Sequence, residues 1–254
     1  MEREPREIVL IQYPGFVRNA TMAPPCGKVH MALRFKGLRC KLQNAASPAE
    51  ARRLTPRGRL PTLIVDGRVI PDSSDILDEL DRIRPEPPLL PADPLLRAQA
   101  RVLEDWADEV LYFLGVWFRF GSDENYPRVA EAIFARASWP MRRVGTVVLR
   151  KMMRKRLHSQ GTGDKEPEAI AKELGSALDT LVQLLADRPF LLGKEFSRAD
   201  LSLCALLDQM DLPELTPGPS AMVRARPGLA AWRLRVRALC GNAAEGQSAL
   251  LTGS

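Results

Sequence analysis

Residues 58–77 constrain the fold of this chain more than any other part of its sequence. Pro61 stands directly before a short apolar run, Thr62–Val65, and Asp66-Gly67 separates that run from a second one, Arg68–Ile70. Proline can begin a strand, but it lacks the N–H group that a position inside a sheet needs. Asp-Gly between two short strands is the signal of a two-residue hairpin turn. The segment therefore predicts an antiparallel hairpin that begins immediately after a proline.

A helix is predicted after the hairpin, and polar side chains stand at its start. Asp72-Ser73 offers a carboxylate and a hydroxyl ahead of apolar residues at helical spacing, namely Ile76, Leu77, Leu80 and Ile83. The N-terminus of a helix has unpaired N–H groups and partial positive charge, so it suits the carboxylate of a ligand. The alternative interpretation is an ordinary hairpin and a capped helix that bind no ligand.

Strands and helices alternate upstream of the hairpin. Residues 8–13 and 38–42 predict strands, and residues 26–36 predict a helix that ends at Gly37. Ser47-Pro48 predicts the start of another helix, with serine as the N-cap. A strand–helix–strand crossover implies parallel strands and a hairpin implies antiparallel ones. We therefore expect a mixed four-stranded sheet with helices on both faces.

The rest of the chain predicts helices only. Prolines at 85–94 mark a stiff linker, and apolar residues recur at helical spacing through 95–240. One predicted helix face carries Leu103, Trp106, Ala107, Val110 and Leu114. Residues 196–201 contain a capping box of Ser197 and Asp200 with a hydrophobic staple. We expect a first domain at 1–84, an all-α helical bundle at 95–240 and a flexible tail at 241–254.

The hairpin and the capping box, in this order, resemble landmarks of the glutathione transferase superfamily. The resemblance implies a thioredoxin-like first domain and an all-α second domain. It also implies that the peptide bond before Pro61 is cis, that the backbone of Leu60 pairs with the cysteinyl part of glutathione, and that Asp72 and Ser73 hold the γ-glutamyl end. Glutathione would then be a co-substrate that is conjugated to, or exchanged with, a hydrophobic electrophile.

A finer resemblance, to the metaxin and failed-axon-connections branch, rests on three segments. These are Tyr112-Phe113 ahead of residues 117–120, residues 154–163, and the long loop that ends in Pro24-Pro25-Cys26. This resemblance supports the fold more than the reaction, because the branch includes proteins for which transferase activity is not the evident role.

Conjugation needs the glutathione thiolate, although a free thiol has a pKa of roughly 8.5. In the superfamily a tyrosine, serine or cysteine after the first strand stabilises the thiolate. Tyr13 is one candidate here, because its phenol can donate a hydrogen bond to sulfur. A boundary aromatic residue with its hydroxyl in water is the alternative for Tyr13.

Cys26 is the second candidate, because the dipole of a helix N-terminus lowers a thiol pKa, and a mixed disulfide with glutathione is a possible chemistry for it. The alternative is that Cys26 is a small buried apolar residue. Thr21 is a third choice. The turn departs from the family pattern, since Ala23 stands where the reactive residue belongs.

The electrophile pocket is expected between the domains. Tyr112, Trp117 and Phe120 are its candidate aromatic residues, although an aromatic series at helical spacing is also typical of a core. Arg59 and Lys28 are expected to add positive charge for the carboxylates of glutathione. His30 is assigned to a helix surface.

The chain has 254 residues and a formal net charge of +6, and its basic residues concentrate at 142–156, where no acid occurs. Apolar residues at helical spacing accompany them, so the segment suits either an ordinary solvated face or contact with an anionic membrane. No motif indicates nucleic-acid binding. The charged N-terminus, the scattered cysteines and the two separated histidines predict a cytoplasmic, metal-free protein. The family resemblance suggests a homodimer.

Two functions remain open at this point. One is a glutathione transferase that uses Leu60, Pro61, Asp72 and Ser73 to bind the tripeptide. The other is a non-catalytic ligand carrier or interaction module, with residues 142–156 as its contact with a membrane or a partner.

Overall fold

A computed structural model describes residues 7–45, 47–55 and 58–241. Its first domain has the predicted order of elements and the predicted mixed sheet, so the fold class is confirmed. The predicted tail falls almost wholly on residues 242–254, which lie outside the described residues. The elements of the first domain are β1 (Ile8–Gln12), α1 (Pro24–Phe35), β2 (Lys41–Asn44), α2 (Pro48–Leu54), β3 (Thr62–Val65), β4 (Arg68–Ile70) and α3 (Ser73–Ile83).

The sheet has the strand order β2-β1-β3-β4. β1 is parallel to β2 and antiparallel to β3, and Leu10 lies opposite both Leu42 and Leu63 in the register. The second strand begins later than residue 38, the position expected from the sequence. Leu38 and Cys40 are buried in the core of the first domain, but the ladder with β1 starts only at Lys41. The apolar residues at 38–40 therefore indicate burial, and they do not pair with β1 as a strand.

A buried lysine fixes the connection between the two domains. Lys36 lies at the C-cap of α1, and its Nζ donates to the backbone oxygens of Arg84 at 2.7 Å and Pro87 at 2.6 Å. The same ammonium group pairs with Asp81 at 2.5 Å. A buried ammonium group must be paired and hydrogen-bonded, so these contacts hold the linker against α1.

The second domain is built of helices, as expected, and the β-pairing among its described residues is limited to isolated bridges between Phe190 and Gly193 and between Leu192 and Glu195. Its first helix is continuous but changes its winding, because π-helical turns at Ala107–Leu111 and Trp117–Gly121 flank a short α-helical segment. The helices are α4 (Pro94–Trp106), α5 (Tyr112–Val116), α6 (Tyr126–Ile133), α7 (Trp139–Gln160), α8 (Pro167–Leu185), α9 (Arg198–Met210), α10 (Pro217–Arg224) and α11 (Pro227–Leu239).

The first π-helical turn changes which side of this helix is buried. The sequence predicted Val110 on the buried face, but 46% of Val110 is exposed and only 3% of Leu111 is. A π turn holds one more residue than an α turn, so the face that points to the core advances by one position. Tyr112 directly follows this π turn, so its position around the helix also depends on the extra residue in the turn.

The capping box at the start of α9 is confirmed. Ser197 and Asp200 cap each other's backbone N–H groups, and Asp200 also accepts a hydrogen bond from the indole N–H of Trp232 at 2.8 Å. α9 is buried along almost its whole length and packs on α1. This helix therefore joins the core of the second domain to the first domain.

His30 was expected on a helix surface, and this expectation is wrong. Its side chain is buried on α1, and burial, with a smaller effect from Arg34, lowers the pKa of its imidazole to about 4. His30 is one of the buried residues of α1, together with its neighbours Val29 and Leu33. The neutral imidazole is therefore part of the protein interior at physiological pH.

Candidate functional site

A cavity of about 820 Å³ lies between the two domains. It is the place where most of the residues selected from the sequence meet. Its wall from the first domain includes six of the predicted site residues, namely Tyr13, Arg59, Leu60, Pro61, Asp72 and Ser73. Its wall from the second domain includes Tyr112. We call these surfaces the first wall and the second wall.

The start of β3 forms the floor of the first wall. The Leu60–Pro61 peptide bond is cis, as the family resemblance implied, and Pro61 is buried directly before the strand. The side chain of Arg59 is exposed at the rim, and its backbone oxygen accepts a hydrogen bond from the Thr62 hydroxyl at 3.4 Å. The backbone around Leu60 therefore borders the cavity. The strand that follows, β3, contributes Leu63 and Val65 to the core of the first domain.

The N-terminus of α3 forms the adjoining part of the first wall. Asp72 is its N-cap, and one carboxylate oxygen accepts a hydrogen bond from the backbone N–H of Ser74 at 2.9 Å. Ser73 is the first helical residue, and both residues line the cavity. Positive helix-end charge, a hydroxyl group and a carboxylate thus lie together. This combination is complementary to an amino-acid head group, which carries one carboxylate and one ammonium.

A buried network of charges supports this helix start from behind. Glu104 of α4 accepts hydrogen bonds from Lys28 Nζ of α1 at 2.9 Å, from Ser74 Oγ at 2.9 Å and from Arg198 of α9 at 3.0 Å. Arg198 also pairs with Asp78 of α3 at 2.5 Å. Side chains of α1, α3 and α9 therefore meet at the Glu104 carboxylate of α4. Ser74, which directly follows Ser73, is hydrogen-bonded to this carboxylate.

The pKa of Glu104 agrees with an ionised carboxylate at the centre of the network. Burial alone would raise the pKa of Glu104, but the charges of Lys28 and Arg198 outweigh it, so the pKa of Glu104 is lowered. Lys28 also pairs with Asp108, and this ammonium group is buried rather than open to the cavity. The expectation that Lys28 provides charge for the glutathione carboxylates is therefore wrong, because both of its partners are carboxylates of the protein.

Tyr13 follows β1 directly and is half-buried in the cavity wall. Burial, with smaller contributions from Cys26 and Tyr112, raises the pKa of its phenol, whereas the charges of Arg156 and Arg52 act in the opposite direction. The phenol is therefore protonated at neutral pH and available as a hydrogen-bond donor. Both arginines line the same cavity and make its potential near Tyr13 more positive.

Cys26 does not reach the cavity. Its side chain is completely buried in α1, and burial raises the pKa of the thiol to about 12, although the neighbouring backbone of Tyr13 and the side chain of Thr21 act in the opposite direction. The prediction that the helix start lowers this thiol pKa is wrong, because loss of hydration outweighs the dipole. Thr21 is buried as well and is absent from the cavity wall, whereas Ala23, the N-cap of α1, lines it without a polar side chain.

The second wall combines large apolar side chains and a cation with acidic and neutral polar residues, namely Asp105, Asp108, Glu109, Ser159 and Gln160. The ring of Tyr112 meets that of Phe113 edge-on at 5.2 Å, and the Arg156 guanidinium lies 5.3 Å from the centre of the Tyr112 ring. Met152 and Met153 of α7 complete this wall. Trp117 was predicted here, but it is absent from the lining residues and packs against the helical core instead.

Two groups of site residues were missed by the sequence reasoning. Glu104 was not among the predicted site residues, since nothing local in the sequence reveals that three distant donors converge on it. The contribution of α7 was missed as well, although Leu149, Met152, Met153 and Arg156 follow the i, i+3, i+4, i+7 spacing of one helix face. That spacing was the available signal. Among the described residues, no cluster of three histidine, cysteine or acidic side chains has the arrangement of a metal site.

Comparison with known families agrees with this architecture. Residues 19–88 match the glutathione S-transferase N-terminal domain, and residues 164–235 match the glutathione S-transferase C-terminal domain. The two matches lie in the two structural domains, on either side of the cavity. The chain therefore belongs to the glutathione S-transferase superfamily. The matches do not extend to the metaxin branch.

Characterised relatives cover most of the chain. An isoprene-epoxide–glutathione S-transferase from Rhodococcus sp. strain AD45 is 28% identical over 222 residues, which are 85% of this chain and 92% of the relative. Protein LigF from Sphingobium sp. strain SYK-6 is 25% identical over 189 residues, which are 74% and 73% of the two chains.

Solved structures show the same fold. The structure of LigF, described as a β-etherase, has a TM-score of 0.61 at 24% identity and covers 91% of this chain and 95% of its own. A glutathione S-transferase from Methylobacterium radiotolerans in complex with glutathione sulfonate has a TM-score of 0.59 at 22% identity, with coverage of 98% and 97%.

Proposed function

We propose that this protein is a glutathione-dependent transferase that binds the tripeptide against the first wall and a hydrophobic electrophile against the second. In this proposal the Leu60 backbone pairs with the cysteinyl part of glutathione. Asp72, Ser73 and the N-terminus of α3 hold the γ-glutamyl head group. The observation that carries the proposal is that Leu60, Pro61, Asp72, Ser73 and Tyr13 all line one cavity.

The proposed chemistry is attack of the glutathione thiolate on an electrophilic carbon: a C–S bond forms as the bond between that carbon and its oxygen breaks, and the oxygen leaves with the electron pair and takes up a proton from water. The Tyr13 phenol donates a hydrogen bond to the sulfur, and the positive charges of Arg52 and Arg156 favour the thiolate over the thiol. Tyr112 and the two methionines of the second wall contact the apolar electrophile. The relative named for isoprene epoxide and the one described as a β-etherase support an electrophile whose reactive carbon carries oxygen.

Further parts of this proposal concern the state of the protein. We propose a cytoplasmic homodimer of the kind that the family resemblance suggests. Contact of residues 142–156 with an anionic membrane is a separate proposal, because most of the residues that carry it lie outside the cavity. The purely non-catalytic alternative is not favoured, since the relatives reported above are named for enzymes.

Calorimetric titration with glutathione tests the proposal. We expect the wild type to bind glutathione, and Asp72→Ala and Ser73→Ala to weaken binding by about tenfold or more, because each removes a charge-assisted or neutral hydrogen bond to the head group. Asp75→Ala is the matched control, since Asp75 lies on the same first turn but is exposed and absent from the cavity wall. Absence of binding to the wild type would reject the proposal, and so would equal affinity in all four proteins.

A further inference from the structure

The outer face of α7 exposes apolar side chains to solvent. Five large apolar residues of its first half, Trp139, Met141, Val144, Val147 and Val148, are between 58 and 70% exposed. Single exposed apolar residues are normal on a protein surface, but a contiguous group indicates a surface that another body covers. We call these residues, with the exposed basic side chains among them, the α7 face.

The positions of these residues define one stripe. Met141, Val144 and Val148 follow the i, i+3, i+7 spacing of a single helix face. The opposite side of α7 is the packed one: Leu157 is buried there, and Leu149 and Met153 pack against α5 and α6 through the neighbouring core. The stripe therefore points away from the body of the protein.

The charges around the stripe have one sign. No acidic residue occurs from Trp139 to Gln160, and the exposed cations Arg142, Arg143, Lys151 and Lys155 border or interrupt the stripe. Arg150 and Arg154 pair with Asp123, which is itself exposed. Within the described part of the chain, Lys151 and Lys155 have no ion-pair partner, so their charges are available to a partner with negative charge.

A groove next to the stripe has the same character. It lies between α6 and α7, has a volume of about 590 Å³, and is lined by Val147, Tyr126 and Pro127 together with Arg150, Lys151 and Arg154. Apolar side chains thus share one depression with Lys151 and with Arg150 and Arg154, the two arginines that also pair with Asp123. Such a depression is complementary to an anionic lipid, which has an acyl part and a phosphate.

We propose that the α7 face binds the surface of an anionic membrane. An apolar stripe flanked by cations on a helix is the arrangement that inserts its apolar side at the acyl boundary while its cations meet anionic headgroups. A second copy of this chain fits less well, because a two-fold contact through the same face would bring its cations against each other. No helix among the described residues is long and apolar enough to cross a bilayer, so the contact we propose is peripheral. The proposal goes beyond the glutathione chemistry and does not depend on it.

Co-sedimentation with vesicles tests this inference on the full chain. The probes are vesicles of phosphatidylcholine alone and vesicles in which about one-third of the lipid is phosphatidylglycerol. We expect binding to the anionic vesicles only, with a decrease at high salt, because salt screens the contribution of exposed cations.

Two double variants address the two parts of the α7 face. Lys151→Glu with Lys155→Glu should weaken binding by about 25-fold or more, since each basic residue near an anionic surface contributes about fivefold. Val144→Ser with Val148→Ser should weaken it by about tenfold through lost apolar contact. Lys172→Glu with Lys194→Glu, and Leu95→Ser with Val102→Ser, are the matched controls, because these side chains are exposed on other surfaces. Both controls should bind like the wild type.

Three outcomes would overturn the inference. They are no binding of the wild type to anionic vesicles, equal binding to neutral vesicles, and α7-face variants that bind like their controls. Loss of a wild-type dimer in the α7-face variants, seen by light scattering without any vesicle binding, would assign the face to self-association instead. Thermal unfolding and glutathione retention of each variant show that the fold is intact, since none of the substituted residues lines the cavity.

Discussion

The two walls of the cavity are held in place by different kinds of interaction. Behind the first wall, the start of α3 is fixed by an N-cap and by buried charges that converge on Glu104. The second wall depends on the long side chains of Met152 and Met153 and on an arginine that lies over aromatic rings. Thioether side chains are flexible, whereas a buried ion network allows one arrangement. If the proposed function holds, we expect the first wall to accept one ligand and the second wall to adapt to several.

The largest effect is expected at the centre of the buried network. Glu104→Ala should lower the free energy of unfolding by about 3–5 kcal/mol, because it leaves the Lys28 and Arg198 cations buried without their shared carboxylate. Denaturant unfolding measures this effect. Asp105→Ala is the control, since Asp105 is exposed beside it and should change stability by only about 0.5 kcal/mol. Equal stability of the two variants would mean that the network does not support the first wall.

The next effect concerns His30, which lies on the same helix as Lys28. Its pKa of about 4 is below the ordinary value of 6.5, so the unfolded chain binds the proton more readily than the folded one. Stability contributed by this residue is therefore present above pH 6.5 and is lost as the pH falls toward 4, by about 3 kcal/mol. His30→Gln should lose less stability than the wild type over this range in denaturant titrations. Parallel pH profiles for the two proteins would contradict the assignment.

A smaller effect is expected for Tyr13. Tyr13→Phe removes the donor to the thiolate and should lower kcat/KM by about 10- to 100-fold while raising the thiol pKa of bound glutathione, followed by the ultraviolet absorption of the thiolate. Cys26→Ala is the control and should leave the thiol pKa unchanged, because Cys26 is buried outside the cavity. If only Cys26→Ala changed the thiol pKa, the roles of the two residues would be reversed.

The smallest effect is expected on the second wall. Arg156→Gln should raise the KM for an aromatic electrophile by about two- to fivefold, since the cation over the Tyr112 and Phe113 rings contributes about 0.5–1 kcal/mol to the second wall. It should also raise the thiol pKa of bound glutathione, because it removes one of the two positive charges near Tyr13. The affinity for glutathione should change less. Arg143→Gln is the control, because Arg143 also lies over an aromatic ring, that of Trp139, but outside the cavity. A loss of glutathione affinity equal to that of Ser73→Ala would show that the two walls do not act separately.

The first wall was predictable from the sequence because its signals are local. Pro61, the Asp66-Gly67 turn and the Asp72 cap each specify backbone geometry within a few residues, and the structure places all three as expected. The support behind that wall was not predictable in the same way. Glu104 gathers partners from α1, α3 and α9, and a contact between residues far apart in sequence leaves no periodic pattern.

The second wall shows a different limit of sequence reasoning. Helical spacing correctly predicted that residues 95–115 form a helix. Because of the π turn, however, Leu111 is buried in the core and the predicted Val110 is not. Helical spacing also gave α7 an apolar stripe, and a stripe alone does not specify whether it faces the core or solvent. Cys26 shows the converse case, because a helix N-terminus predicted a reactive thiol, whereas the packing confirms the alternative of a small buried residue.

A crystal structure of the protein grown with saturating glutathione tests the proposed site most directly. We predict the γ-glutamyl carboxylate at Ser73 and the N-terminus of α3, the cysteinyl backbone beside Leu60, and the sulfur within hydrogen-bonding distance of the Tyr13 hydroxyl. Glutathione bound elsewhere, or a first wall that stays empty under these conditions, would contradict the assignment of this cavity.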